Sequence, residues 1–132
     1  MKKMLITVVA ISLSSACFAV QSSQQTKKVT KKQISSSIAN KSCLQARKTL
    51  INNGWKPNVQ NRDSEPFEFQ KVIMRKYPDL ESCAPTGYGE CNGVYKRGNQ
   101  YLLVTYSAEG SLEGFESPSC GVVNFQLSNS PF

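Results

Sequence analysis

The segment from Cys83 to Tyr106 constrains the fold most, because it joins a cysteine-bounded loop to a hairpin pattern. Cys83 and Cys91 enclose a proline and two glycines, residue types that favour a compact loop over a helix or strand. Gly98-Asn99 then separates two runs rich in β-branched and aromatic residues, which predicts a β-hairpin. Alternation along the second run gives one apolar face, which we expect to line the core. That face holds Leu102, Val104 and Tyr106.

The first 19 residues have the pattern of a secretory signal peptide. Two lysines precede a short apolar run, and small residues follow up to Ala19, which is the usual order of the regions of such peptides. The apolar run is too short to span a bilayer as a helix. We therefore expect cleavage after Ala19 and a periplasmic or secreted protein. A lipoprotein acylated at Cys17 is the alternative, although Ser14 stands where a bacterial lipobox normally has leucine.

Four cysteines follow the expected cleavage site, and an even number in an exported chain predicts two disulfides. Of the three possible connectivities we expect Cys83–Cys91, which is local, together with Cys43–Cys120. The second would connect the first predicted helix to the last strand and contribute roughly 4 kcal/mol on the chain-entropy model. A zinc site is the competing interpretation. The chain contains no C-x₂-C pair, which argues against zinc.

The positive charge of the chain is concentrated near its N-terminus. The net charge is +7, but from Cys43 onward nine basic residues balance nine acidic ones, so we expect no nucleic-acid partner. Residues 20–42 contain no acid, aromatic residue, glycine or proline, and this composition predicts a flexible basic linker. Its lysines are candidates for electrostatic attachment to anionic envelope polymers or lipid head groups, with a solvated linker as the alternative. They are Lys27, Lys28, Lys31 and Lys32.

Residues 43–127 are the predicted globular domain, and residues 128–132 its loose tail. Apolar residues at helical spacing over 43–51 predict a helix that Asn40 or Ser42 caps and Gly54 ends. We expect Trp55, directly after this helix, to pack in the core. The alternative is a stacking platform for a sugar or peptide.

The segments around the hairpin give weaker patterns. Residues 67–77 favour a short helix that ends before Pro78, although the pattern begins like a strand. Residues 112–116 suggest a third short strand, and residues 120–127 a final strand with Val123, Phe125 and Leu127 on one face. The predicted fold class is α+β, with one main helix packed on a small antiparallel β-sheet and two disulfides.

Catalysis is disfavoured by composition. The chain has no histidine, which removes the commonest general base and the usual partner of a serine or cysteine nucleophile. Acids such as Asp79 with Glu81 or Glu90 could form a glycosidase pair, but we interpret them as solvated surface. No glycine-rich phosphate loop joins a strand to a helix. We expect a protein without enzymatic activity, cofactor or metal.

The acidic segment 107–117 is the candidate partner-binding surface. It carries three carboxylates and two apolar side chains without a basic residue, a pattern that suits insertion into a basic cleft. A solvated acidic turn is the alternative interpretation. The candidate residues are Glu109, Leu112, Glu113, Phe115 and Glu116.

One run of residues resembles small exported, disulfide-containing proteins of Gram-negative bacteria. It consists of Ala46-Arg47-x-x-Leu50-x-x-x-Gly54-Trp55-x-Pro57, then Tyr77-Pro78, Cys83, Gly87, Cys91 and the hairpin. The resemblance implies a periplasmic α+β domain and transfers no catalytic residue. In size, disulfides and acidic loop the chain is also loosely similar to periplasmic lysozyme inhibitors, with no motif matching residue by residue.

These observations together predict an exported, non-enzymatic envelope protein that binds another protein or an envelope polymer. The alternative is an inhibitor or immunity protein that blocks a cell-wall hydrolase such as lysozyme. We expect the partner to be a periplasmic or extracellular protein or an anionic envelope polymer. We also expect no transmembrane span and a monomeric protein.

Overall fold

The computed structural model describes residues 26–62, 64–84, 89–109 and 111–132. The predicted signal peptide, Cys17, residues 20–25 and the tip of the loop between Cys83 and Cys91 lie outside the described residues. The elements in chain order are α1 (Lys31–Ile38), α2 (Cys43–Asn52), β1 (Lys56–Pro57), α3 (Glu68–Lys76), β2 (Leu80–Cys83), β3 (Glu90–Arg97), β4 (Gln100–Ser107), α4 (Leu112–Glu116) and β5 (Val122–Ser128).

The fold class is α+β, as predicted, with an antiparallel sheet of five strands. The expectation of one main helix is not confirmed, because α1 and α3 have 8 and 9 residues against 10 in α2. None of the helices in the described ranges is long and apolar enough to cross a membrane.

The sheet is built around the hairpin of β3 and β4. These strands pair from Glu90–Ser107 to Arg97–Gln100, and Gly98 begins the turn with a φ of 57°, a conformation that glycine adopts without strain. β1 and β2 lie end to end along the outer side of β3, and β5 pairs with β4. The predicted core face is confirmed, since Leu102, Val104 and Tyr106 are fully buried.

Helix α1 lies inside the segment predicted to be a flexible linker, so that prediction does not hold for residues 31–38. Thr30 and Gln33 form a capping box at its start, which satisfies backbone N–H groups that have no partner within the helix. Ile34 and Ile38 are four residues apart and buried in the core. Two isoleucines at this spacing suffice to dock a short helix, although the mean composition of the segment is polar.

Helix α2 forms as predicted. Ser42 and Gln45 make a second capping box, and Gly54 follows the helix with a φ of 83°, where a left-handed residue commonly ends a helix. Trp55 is buried with 1% of its surface exposed, so it packs in the core and offers no stacking platform. α3 confirms the short helix expected over residues 67–77.

One strand was not predicted, and two local predictions fail. Residues 80–83, for which no element was predicted, form β2 because they pair with β3. Residues 112–116, expected as a strand, form α4, whose first turn is capped by the Ser111 side chain accepting from the Gly114 N–H. Val123 was expected on the same face as Phe125 and Leu127, but it is 54% exposed. An irregularity opposite Thr105 and Tyr106 shifts the β4–β5 register at this residue, and such bulges redirect side chains.

Both predicted disulfides are confirmed, and each joins two elements. Cys43 at the start of α2 bonds to Cys120 just before β5, across 77 residues of chain. Cys83 of β2 bonds to Cys91, the residue directly opposite it on β3. The buried core lies between the helices and one face of the sheet and includes both pairs.

Candidate functional site

A positively charged concavity lies at the end of the β3–β4 hairpin. Three adjoining cavities of about 170, 590 and 540 Å³ share Arg97 and run from α1, past the end of α2, to the hairpin turn. We call this region the hairpin-end cleft. The cationic residues in its lining are Lys27, Lys28, Lys56, Lys96 and Arg97.

Two of these lysines face each other because of the strand register. β1 pairs antiparallel with β3 so that Lys56 is directly opposite Lys96. Like charges at directly opposed positions of two strands repel and destabilise the sheet. Lys96 also lies over the ring of Tyr101, with 5.1 Å from its Nζ to the ring centroid, which keeps that ammonium at the sheet surface.

Arg97 lies where the hairpin meets the end of α2. A β-carbon added to Gly54 would be 3.8 Å from Arg97 Nε, which places the guanidinium beside the turn that follows the helix. A cation near the C-terminal end of a helix is favoured by the partial negative charge of the last carbonyl groups. Because Arg97 lines all three cavities, it occupies the centre of the cleft.

The segment before α1 forms one wall of the cleft and is held there by Gln100. The Val29 N–H donates to Gln100 Oε1 at 2.7 Å, and Gln100 Nε2 donates to the Val29 carbonyl at 2.8 Å. Gln100 is 6% exposed, so this pair of hydrogen bonds is protected from competing water. It fixes the backbone next to Lys27 and Lys28.

No acidic residue compensates this positive charge in the described part of the chain. The lining residues of the three cavities include no Asp or Glu. Three ion pairs of the described residues all lie outside the cleft. They are Arg47–Asp79, Lys71–Glu68 and Lys76–Glu116. Among the described residues, the cations of the cleft therefore have no acidic partner, and a ligand can supply the counter-charge.

A second polar cluster is buried beneath the helices and is satisfied internally. Asp79, which was interpreted as a surface acid, is fully buried. It accepts hydrogen bonds from Arg47 Nε at 2.7 and 2.9 Å and from the Tyr95 hydroxyl at 2.7 Å. The Tyr95 and Tyr106 hydroxyls are 2.9 Å apart. Removal of one partner of a buried ion pair costs about 3–5 kcal/mol, so this cluster joins α2, the turn before β2, and the β3–β4 hairpin.

The pKa values of this cluster follow from its burial. Burial lowers the pKa of Arg47, but the hydrogen bond and charge of Asp79 raise it, and the net shift is upward. Burial raises the pKa of Tyr95 well above its usual value, and the neighbouring Tyr106 and Asp79 add to this. A glycosidase needs two carboxyl groups that reach substrate, and Asp79 has no such access.

The candidate partner-binding residues of the acidic segment do not form one exposed surface. Phe115 is fully buried against Tyr77 and Tyr106, with ring centroids 4.9 and 5.3 Å away, so its predicted role as an exposed anchor is wrong. Leu112 is partly buried against the core. Glu116 accepts from the Tyr77 hydroxyl and pairs with Lys76, both at 2.5 Å. Only Glu109 and Glu113 are exposed.

The hydrogen bond from Lys76 and then that from Tyr77 lower the pKa of Glu116. Burial and the hydrogen bond to Glu116 raise the pKa of Tyr77 to about 12. These contacts give Glu116 a structural role between α3 and α4.

Sequence reasoning found part of the hairpin-end cleft and missed its centre. Lys27 and Lys28 were candidates for anion attachment and do line the cleft, whereas Lys31 and Lys32 are exposed on α1 outside it. Lys56, Lys96 and Arg97 were missed, since they come from two segments that only the β1–β3 pairing brings together. The adjacent Lys96 and Arg97 before a turn were the available signal.

No protein-family model, curated protein or solved structure matches this chain at a significant level. Among the described residues, no group of three or more cysteine or acidic side chains is arranged to hold a metal ion. The interpretation of the site therefore depends on its own geometry and charge.

Proposed function

We propose that this protein is a non-enzymatic envelope protein that binds an anionic envelope polymer through the hairpin-end cleft. The ligand class is a linear polymer that carries phosphate or carboxylate groups. Among the residues that the structure describes, five cationic side chains and no acid line the cleft, so an anionic ligand gains Coulombic attraction there without meeting a repelling carboxylate.

The observation that carries the proposal is the register of Lys56 opposite Lys96. Two like charges at this position weaken the β1–β3 pairing, and no acid of the described residues is paired with either of them. Unfavourable local electrostatics of this kind are typical of functional sites, where a ligand supplies the missing charge.

The shape of the cleft favours an extended ligand. Cavities of about 590 and 540 Å³ both border Arg97, and a single small anion would fill only a fraction of either. The Arg97 guanidinium can bind a phosphate or carboxylate with two parallel hydrogen bonds, and the lysines act as adaptable point charges on neighbouring groups. A repeating anionic chain would use both kinds of contact.

The test measures binding of the oxidised mature protein to polyphosphate, to polygalacturonate and to uncharged dextran by isothermal titration calorimetry. We expect binding to at least one of the two polyanions and none to dextran. The affinity should fall as salt increases, since counterions are released when cations neutralise a polyanion. Vesicles containing phosphatidylglycerol form a separate arm that distinguishes a lipid surface from a polymer.

The decisive variant replaces Lys56, Lys96 and Arg97 by glutamine. Its matched control replaces three cations outside the cleft, Lys48, Lys71 and Arg75, by glutamine, so that both proteins lose the same net charge. We expect the cleft variant alone to lose binding by more than about tenfold. Equal loss in the two variants would show a general charge effect and contradict a specific cleft, as would unchanged binding in the cleft variant.

An inhibitor of a cell-wall hydrolase is not proposed. That function required the acidic segment to present an apolar anchor, and Phe115 is buried in the core.

A further inference from the structure

The outer side of β5 is the longest strand edge left open in the described part of the chain. β5 has seven residues and pairs only with β4. An open edge pairs readily with another strand unless charged residues, proline or a bulge prevent it. β5 contains no charged residue and no proline, and its register irregularity lies at its start, next to Val123. The regular part of this edge is therefore unprotected.

Phe125 shows which backbone groups of β5 point outward. Its N–H donates to the Asn124 side-chain oxygen at 2.8 Å and so does not bond to β4. Inward and outward backbone groups alternate along an antiparallel strand, so those of Leu127 also point outward. The outward donor of Phe125 is satisfied by an exposed side chain, which a carbonyl group of an added strand can replace.

An uncharged groove lies beside this edge. A cavity of about 300 Å³ separates the end of α1 from the start of β5. Val123, 54% exposed, projects at the same place. The groove is lined by Ser35, Ile38, Ala39, Asn40, Val122, Val123, Asn124 and Phe125.

We propose that β5 pairs antiparallel with β5 of a second copy of this chain, about a two-fold axis at Phe125. Each Phe125 then faces its counterpart as an aromatic cross-strand pair, and two five-stranded sheets become continuous. This interface replaces the monomer expected from the sequence and does not depend on the proposed function.

A second copy fits this edge better than other occupants because of charge and self-complementarity. Beyond the expected cleavage site the excess positive charge lies in residues 20–42, which carry five lysines and no acid. Two copies therefore repel where these segments approach, whereas the β5 edge with its groove is neutral. Antiparallel pairing also places the two hairpin-end clefts at opposite ends of the joined sheet. An isologous interface requires a self-complementary patch. The axis at Phe125 sets Asn124 of each copy opposite Gln126 of the other, so that amide side chains face each other.

The experiment is sedimentation equilibrium of the oxidised mature protein from about 10 µM to about 1 mM, the range of weak self-association. Val123→Lys/Gln126→Lys places four ammonium groups at the interface, and both substituted residues are exposed. Val72→Lys/Gln60→Lys is the matched control, because it adds the same two charges at an exposed valine on α3 and at an exposed glutamine before that helix. Wild type and this control should form dimers, and the β5 double variant should dimerise more than about tenfold more weakly.

Hydrogen exchange of the wild type locates the interface independently of any variant. The amide protons of Phe125 and Leu127 should exchange more slowly at high protein concentration, and amides of β1 should not. A monomer throughout the concentration range overturns the proposal. A dimer without added protection at β5, or one that tolerates the β5 lysines as well as the control, also overturns it.

Discussion

Replacement of Lys56 by glutamate should stabilise the fold and weaken the binding of a polyanion. These two effects have opposite signs, and together they test the interpretation of the cleft. In the wild-type protein Lys56 is directly opposite Lys96. The variant converts a repelling cross-strand pair into an attracting one. Each such cross-strand pair is worth about 0.2–1 kcal/mol, and the variant gains twice, because it removes a repulsion and adds an attraction. Lys56 is exposed, so we take the lower part of the range that these two gains give together. The free energy of unfolding should then rise by about 0.5–1 kcal/mol.

A gain of this size should raise the melting temperature by about 2–6 °C for a domain of roughly 100 residues. The assay is thermal unfolding followed by circular dichroism, at low salt and in about 1 M salt, where the Debye length of ~3 Å removes most of the difference. Lys56→Gln should give about half of the increase, because it removes repulsion without adding attraction. Lys48→Glu, on α2 and without an opposed lysine, is the control for a general effect of net charge.

Binding to the polyanion that the wild type recognises should fall more than about tenfold in Lys56→Glu. A variant that is both less stable and unchanged in binding would refute the reasoning, since the lysine would then serve the fold and not a ligand. An equal rise in melting temperature in Lys48→Glu would also refute it.

Two further predictions concern the core. Phe115→Ala should reduce the free energy of unfolding by about 3–5 kcal/mol, because a fully buried ring between Tyr77 and Tyr106 leaves a cavity; chemical denaturation measures this loss. Stability should also fall as the pH rises above about 10, the unfolded pKa of tyrosine, since a folded pKa of about 12 for Tyr77 and a strongly raised one for Tyr95 mean that the unfolded state loses protons first. Unfolding and tyrosinate absorbance, followed together against pH, test it.

Each of these two predictions has an outcome that would contradict it. An unfolding free energy within about 1 kcal/mol of wild type in Phe115→Ala would show that the ring is not part of the core. Stability that stays level while the tyrosines ionise would show that their hydroxyls reach solvent. Tyr77→Phe, which cannot ionise at this position, should flatten the alkaline decline if the reasoning holds.

Patterns local to the sequence predicted the parts of the fold that depend on neighbouring residues. The Gly98-Asn99 turn, the alternation of β4 and the capping of α2 by Ser42 are encoded within a few residues. The Cys83–Cys91 disulfide likewise followed from its short loop, and its choice left Cys43 to pair with Cys120.

Features that depend on distant contacts were missed. Ile34 and Ile38 bury only because α2 and the sheet are beside them, so composition alone indicated a flexible linker. Residues 80–83 become a strand through pairing with β3. In the acidic segment, α4 packs so closely on the preceding turn that a β-carbon on Gly114 would lie 2.0 Å from the Ala108 carbonyl oxygen, a constraint that apolar alternation does not reveal. Three of the five cationic residues of the cleft were missed because β1 and β3 approach only in the folded sheet.

The bond between Cys43 and Cys120 determines what a protease could remove from this protein. A cut anywhere between these residues, which are separated by 77 positions, leaves the two pieces covalently joined. Among single cleavages, only one before Cys43 or after Cys120 releases a fragment under oxidising conditions. The releasable parts carry Lys27 and Lys28 of the cleft on one side and the open edge of β5 on the other. A single proteolytic cut would thus remove part of one proposed contact surface and leave the other intact. The loop of chain that the Cys43–Cys120 disulfide closes would stay whole in both cases.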